Sequence, residues 1–588
     1  MTEEFIDMII TGISDIYTSN EPIIILSGRS SNKEKIIIRV TGFLPYFYTS
    51  VDPAEVLSIN PSISQYIVRH DGIYKTITNE FVWKVVVHAP SYIKKIKAHF
   101  GKTFEDDVLY INRFLIDRKI NYTVRIPNKS TVHYSDVIPL EDGAVDVELR
   151  VNYTDLEFNN EGYKGTVKNM VKNADADFIC AVSYDNYLAR FEVFLYLPGI
   201  RDIKQLPWTP RIPKKSHLHA TYREHSPEII DGEEVWNIPV VLRIFPTERE
   251  TAENYLLYLS QTQPGILTAW NLDGFDLPIL INTCKRLDLP IDSLSPVFDI
   301  KAKMVSDKFK KSSKDDKALK QVYEVKHLNT MDSLFYYKLI TLPEGKKKSY
   351  RLDDVGLDEI GLGKLKLDKS IGETWRTDPM KIVKYNIADV ENMMAIIRNR
   401  EMFRFYDAIR KVAGCPMMDT KFGTRILDIT YLREAKGEHV LESKAGYDKN
   451  AIPSPKDKEK VEGAVVIKSY NPYKGKTENV IVIDLKALYP LSMISLNMDK
   501  LTKDPEGEIV SPTGIRFKKS PDGYTRKILQ RYILQRDEMK TNRDLYDRSD
   551  RQYSIYDNYQ KAFKTLVNTS YGAMLNKGFR MLDKEIGA

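Results

Sequence analysis

Apolar positions along the 588-residue chain fall into short runs broken by polar turns, and no run approaches the ~18 residues needed to span a bilayer. Up to residue 144 the pattern predicts strands: Ile23–Leu26, Ile36–Val40 and Phe81–Val87 are rich in β-branched residues. Helical pieces are predicted at Tyr92–Phe100 and Leu109–Lys119. A second β-rich stretch covers Val145–Pro198, and Pro207, Pro210 and Pro213 open a loop-like segment that runs to Asp231. Ala252–Gln261 reads as a helix and Gly265–Trp270 as a strand. The polar run Lys308–Lys320 reads as a solvated hairpin. Met380–Val412 is helix-rich, β structure returns at Ala464–Lys468 and Asn479–Ile483, and Pro521–Leu575 is almost wholly helical and polar.

Length predicts about four domains. With 42% hydrophobic and 29% charged residues the composition is that of a globular protein. Three widely spaced cysteines (Cys180, Cys284, Cys415) argue against a disulfide framework or a cysteine zinc site, and so for a reducing compartment. The acidic N-terminus is unlike a secretory signal. The expected location is cytoplasmic, with the nucleoid, and no membrane partner is expected. A formal charge of +6 permits a polyanion partner without demanding one.

Candidate chemistry lies in two groups of residues. In the first, the apolar run Val480–Ile483 would deliver Asp484 to the end of a strand, and Leu488-Tyr489-Pro490 would then enter a helix. A carboxylate in that position suits Mg²⁺, although a lone Asp there is as readily a helix cap. Lys564, Asn568 and Tyr571 fall at i, i+4 and i+7 on one helical face, while Arg536 and Lys540 are i, i+4 on the preceding helix. Cations and an amide between two helices suit a triphosphate; alone they would equally describe a solvated hairpin.

The second group is acidic. Asp155 and Glu157, at i and i+2 of a short strand, share a face. Asp276 ends Asn271-Leu272-Asp273-Gly274-Phe275-Asp276, directly after a strand, and Tyr385 and Asp389 stand one helical turn apart. Four carboxylates on a strand, a turn and a helix suit a two-metal nuclease.

In their order these segments resemble family B DNA polymerases. Asp484–Pro490 is similar to motif A, with Ala487 for the usual Ser, and Lys564–Gly572 to motif B, with Thr569 for Ser. Val461–Ala464 resembles the motif that couples synthesis to editing, with Val461 for Tyr, and Asn497 also fits the pattern. Phe43–Tyr48 and Arg113–Asp117 resemble the N-terminal domain of archaeal replicative members. The resemblance implies a multidomain α/β protein with these parts: a β-rich N-terminal domain (1–144), a ribonuclease H-like 3′→5′ exonuclease domain (145–400), a return segment of the N-terminal domain (401–442), a first palm segment (443–528), helical-hairpin fingers (529–574) and the start of a second palm segment (575–588).

The resemblance also implies roles. Asp484 and the Leu485 carbonyl would hold two Mg²⁺ (or Mn²⁺) ions. Arg536, Lys540, Lys564 and Asn568 would hold the triphosphate of a deoxynucleotide. Leu488 and Tyr489 would lie at the nucleotide, Tyr489 excluding a 2′-hydroxyl, and Tyr571 would line the nascent pair. Asp155, Glu157, Asp276 and Asp389 would hold two further metal ions, with Tyr385 orienting the attacking water. Asp276 follows Asp155 only after 121 positions, wider than the family spacing, and Pro207–Asp231 reads as the insertion. Lys308–Lys320 falls where the family carries a hairpin that helps part primer from template.

No Asp-x-Asp, the family's motif C, follows Gly572. The expected partners are therefore primer–template DNA, deoxynucleoside triphosphates, a second polypeptide carrying motif C and the thumb, and a sliding clamp. The alternatives are a shortened polymerase acting only as a DNA-binding 3′→5′ exonuclease, and a structural replisome subunit.

Overall fold

The computed structural model describes residues 4–17, 21–141, 143–297, 303–311, 319–444, 479, 481, 487–576 and 578–587. The chain divides into two units: Met1–Gly42 with Tyr122–Asp407 and Pro416–Lys421, and Phe43–Asn121 with Ala408–Cys415 and Phe422–Ala588. Asp484, Leu485 and Val461–Ala464 lie outside the described residues, as do the strands expected at Ala464–Lys468 and over most of Asn479–Ile483.

The first unit contains two large sheets. One runs, edge to edge, Ile138–Pro139, Thr123–Pro127, Phe5–Tyr17, Pro22–Ser30, Lys35–Thr41 and Thr131–His133. The other is built from β1 (Val151–Phe158), β2 (Phe178–Asp185), β3 (Arg190–Tyr196), β4 (Asp202–Trp208), β5 (Ile238–Phe245), β6 (Ile266–Thr268) and β7 (Asn329–Thr330), in the order β4-β5-β3-β2-β1-β6-β7. β1 is antiparallel to β2 and parallel to β6. It is central, so both its faces are covered, and its side chains alternate between two helical layers.

Toward one face, Asn152 donates to Tyr258 Oη (2.9 Å) and Thr154 meets Tyr255 Oη (2.7 Å), both on α1 (Glu248–Thr262). Leu156 and Phe158 join Tyr255, Leu256 and Leu259 in the core there. Thr247 caps α1, accepting from the Glu250 N–H, and Glu248 and Glu250 occupy the positive end of its dipole. Toward the other face, Tyr153 meets Arg398 on α3 (Pro379–Asn399). α2 (Leu277–Arg286) lies between them in sequence.

The expected polar hairpin is present as antiparallel strands Val305–Lys311 and Leu319–Val325; its tip, 312–318, is outside the described residues. The segment Pro207–Asp231 is more ordered than its prolines imply. It holds the helix Lys215–Thr221 and the first strand of a small hairpin, Glu228–Ile230 with Glu233–Val235. Elements of seven and three residues are too short to show a period in sequence.

In the second unit a sheet ordered Ile67–Lys75, Phe81–Val87, Tyr46–Thr49, Thr103–Phe104 packs Phe47, Val85, Ile93 and Phe100 into one core. The same unit holds α4 (Gly423–Ala435), α5 (Leu488–Leu496), α6 (Tyr524–Arg543) and α7 (Arg551–Met574). The backbone after α4 returns to the small sheet: Val440 bridges Thr76, and the Leu441 N–H donates to Glu105 (2.8 Å). The three cysteines are buried and outside any disulfide, Cys180 on β2, Cys284 on α2 and Cys415 in the second unit. Among the described residues no helix is long and apolar enough to cross a membrane.

Candidate functional site

Alternation on β1 decides which polar side chains meet α3. Tyr153 faces that helix, so Asp155 and Glu157, two and four residues on, do too. Asp378 caps α3 by accepting from the Lys381 N–H, and Pro379 sets its first turn. One turn apart on α3, Tyr385 and Asp389 then face the strand. Oxygens of Asp155, Glu157 and Asp389 all lie within 4.8 Å of one another.

Asp276 comes in from the turn before α2. It is buried, and it accepts the backbone N–H of Leu156, between the two strand carboxylates. A wide helical turn, Leu272–Asp276, delivers it. A Cβ at Gly274 in that turn would sit 2.1 Å from Asn271 Oδ1, so a larger residue there would displace the Asn271 side chain. Asp276 stands beside the trio rather than within its 4.8 Å set, and its charge acts on both Asp155 and Glu157.

Crowded, buried carboxylates cannot all ionise without a counter-charge. Burial and then Asp389 and Asp276 push Glu157 up to about 8. Burial, with Asp332 nearby, raises Asp276 to about 7 against the pull of its own and Leu156's backbone N–H groups. Asp155 is raised by burial, then by Glu157, Asp389 and Asp276. Burial also raises Asp389, opposed by Lys364 and Tyr385.

Lys364 is the residue that no motif signals. Its Nζ donates to Asp389 Oδ2 (2.5 Å) and to Tyr385 Oη (3.2 Å). Burial would lower its pKa, but Asp389 and Asp155 hold it above the usual lysine range. It lies in an irregular stretch with neither a helical nor a strand period, so only the fold brings it to the acids. Asp389 Oδ1 is buried without a hydrogen-bond partner. An orphaned anionic oxygen among raised carboxylates, all hard oxygen donors, fits a divalent cation such as Mg²⁺ or Mn²⁺.

The other candidate group lies in the second unit. Ala487 takes a left-handed conformation and starts α5, which carries Leu488 and Tyr489. Arg536 and Lys540 are on α6, and Lys564, Asn568 and Tyr571 on α7, its antiparallel neighbour. The helices meet through apolar contacts such as Tyr532 on Phe563, ring centroids 5.5 Å apart. Lys564 and Asn568 are exposed, Arg536 and Lys540 half-buried, and Lys540 pairs with Asp537 (3.2 Å). Tyr489 and Tyr571 stack, centroids 4.9 Å apart and rings 20° from parallel. Such a pair adds ~0.5–1.5 kcal/mol beyond its buried area. Asn497 ends α5 and ties it to the start of α6, donating to Lys518 and Pro521 carbonyls and accepting from the Gly523 N–H (2.9 Å).

Residues 101–355 match the family described as DNA polymerase family B, exonuclease domain. The chain is 23% identical over 414 residues to the DNA-directed DNA polymerase of Enterobacteria phage T4, covering 67% of this chain and 42% of that one. It is 25% identical over 335 residues to the DNA polymerase of Archaeoglobus fulgidus (56% and 38%) and 22% identical over 615 aligned positions to DNA polymerase 1 of Sulfolobus acidocaldarius (94% and 63%). It thus spans about two fifths of the first two relatives. The solved family B DNA polymerase of Pyrobaculum calidifontis superposes with a TM-score of 0.69 at 17% identity, covering 99% of this chain and 70% of that one. The fold is that of a family B DNA polymerase, with its exonuclease domain present.

Proposed function

We propose that this chain, built on the family B polymerase fold, is a 3′→5′ exonuclease on single-stranded DNA and the bearer of part of a DNA polymerase centre. The nuclease reading rests on the convergence of Asp155, Glu157 and Asp389 within 4.8 Å. Asp155, Glu157, Asp276 and Asp389 would hold two divalent cations, which when bound supply charge neutralisation at the scissile phosphate and a nucleophile at neutral pH. Lys364 holds Asp389 and the Tyr385 hydroxyl, and Tyr385 would orient water. The test is degradation of a 5′-labelled oligodeoxynucleotide by the 588-residue chain with Mg²⁺ or Mn²⁺. Asp155→Ala with Glu157→Ala should abolish it and leave DNA binding largely intact. Undiminished degradation by that double variant would move the nuclease elsewhere.

The polymerase reading draws support from the Tyr489–Tyr571 stack and the polar faces of α6 and α7. Arg536, Lys540, Lys564 and Asn568 would bind the triphosphate of the incoming deoxynucleotide, and Tyr489 would exclude a 2′-hydroxyl. Leu488 would flank the nucleotide, and Asp484 with the Leu485 carbonyl would carry the metal ions. Residues 573–588 contain no Asp-x-Asp. The second carboxylate would then come from outside residues 1–588, in our reading from a second polypeptide that also brings the thumb. Primer–template DNA and a sliding clamp complete the proposed partners.

A further inference from the structure

Three consecutive backbone groups ahead of Lys364 Nζ are each gripped by a different element. Asn392 Nδ2 on α3 donates to the Leu362 carbonyl (3.1 Å). Arg211 Nη2 donates to the Gly363 carbonyl (3.1 Å). The Lys364 N–H donates to Asp353 Oδ1 (2.7 Å). An irregular stretch held at three successive positions has little freedom, and its product is the placement of one ammonium on Asp389 and Tyr385. Arg211 belongs to the insertion between the first two acidic segments, which the nuclease reading leaves without a task.

The insertion also grips α3 itself. Glu391, two residues past Asp389, is fully buried. Its carboxylate accepts from Trp208 Nε1 (3.1 Å), Tyr222 Oη (2.9 Å) and the Arg211 N–H (3.2 Å). Further along the helix, Arg398 forks onto Glu224 (2.7 and 2.8 Å) and lies over the rings of Tyr153 and Tyr184. Arg211 Nη1 is buried without a partner, and its charge acts on Asp389.

We propose that the insertion from Trp208 to Glu224 is a positioning element of the nuclease centre, with Arg211 fixing Lys364 through Gly363 and Glu391 fixing the helix that carries Tyr385 and Asp389. Arg211 and Glu391 touch no reacting atom in this scheme. They act through Lys364 and Asp389, as groups behind a metal ligand do, where loss can cost about 10–100-fold in activity. The proposal rests on the nuclease reading.

The full chain is assayed as parent, Arg211→Ala, Arg211→Lys and Glu391→Gln. The readouts are kcat and KM on a 5′-labelled single-stranded oligodeoxynucleotide with Mg²⁺, Mn²⁺ affinity by calorimetry, and the melting midpoint. Arg211→Ala should lower kcat at least tenfold with KM within twofold. It should also bind Mn²⁺ about threefold more tightly, since a cation near Asp389 is gone. Tighter metal with slower turnover is not what a loosened fold gives. Arg211→Lys keeps the charge and should restore the parent's Mn²⁺ affinity while recovering only part of kcat. Glu391→Gln sets an amide N–H₂ against a converging donor and should lower kcat tenfold at unchanged KM. Parent-like kcat in both Arg211→Ala and Glu391→Gln would overturn the proposal and leave the nuclease intact. So would a kcat loss matched by a fall in melting midpoint and weaker Mn²⁺ binding. A parent chain that neither binds Mn²⁺ nor degrades the oligonucleotide would overturn the nuclease reading itself, and this proposal with it.

Discussion

Glu157 and Asp276 carry protons at pH values where an exposed carboxylate has long lost them, pushed to about 8 and about 7. Without divalent cations these two groups therefore hold more protons in the folded chain than in the unfolded chain between about pH 4 and 8. Stability supplied by these groups is full below that window and is lost as pH rises through it. In a chelator, the melting midpoint of the 588-residue chain should fall from pH 5 to pH 9. Glu157→Gln should flatten the fall, and millimolar Mg²⁺ should reverse it by binding the folded form alone. A pH dependence in Glu157→Gln identical to the parent's, with and without Mg²⁺, would mean the cluster is not crowded as described. At this scale two pairings were legible in the sequence, Asp155 with Glu157 at i, i+2 on a strand and Tyr385 with Asp389 at i, i+4 on a helix, while the order of the segments and their family resemblance, not a period, joined these to Asp276. Lys364 was not, because contacts at 2.5 Å to Asp389 and 3.2 Å to Tyr385 bridge 25 and 21 positions from a segment with no period.

Among the elements, α3 bears the most consequence, since Tyr385, Asp389, Glu391, Asn392 and Arg398 all project from it. Its first turn depends on Asp378, which caps the Lys381 N–H. Asp378→Ala should destabilise by ~1 kcal/mol and Asp378→Asn by much less, as urea titration would read. Equal losses in the two variants would deny the cap its role. Most helices and strands here follow from apolar periodicity, and two elements show where that signal runs out. Phe5–Tyr17 pairs with Pro22–Ser30 through a register shift between Ile10 and Gly12, so its apolar residues fall out of step with a period of two. Gly12 itself answers to a distant neighbour, because a Cβ there would lie 2.8 Å from the His327 Cα. Lys215–Thr221 is too short to announce itself behind three prolines.

For the whole molecule, two activities are proposed to sit in different units, the acids in one and the Tyr489–Tyr571 stack in the other. Chain order does not reveal that division, because residues 43–121 join the unit of α4–α7 while the strands on either side of them pair in the first unit. Only long-range pairing decides this. The 588-residue chain, given primed template, four deoxynucleotides and Mg²⁺, should degrade the primer and not extend it. Extension that disappears in Asp484→Ala would overturn the reading that a second carboxylate comes from elsewhere.

The buried thiols give each unit its own clock. Cys180 pairs across the sheet with Glu157, and burial, then Glu157 and Asp155, hold its thiol far from ionisation. Cys415 is likewise buried, in the other unit. A thiol reagent reaches such a sulfur only when the structure around it opens. The rate at which Cys180 is alkylated therefore times the opening of β2, which pairs with the strand that bears the carboxylates, and the rate at Cys415 times the other unit, in one unmodified chain read by peptide mass.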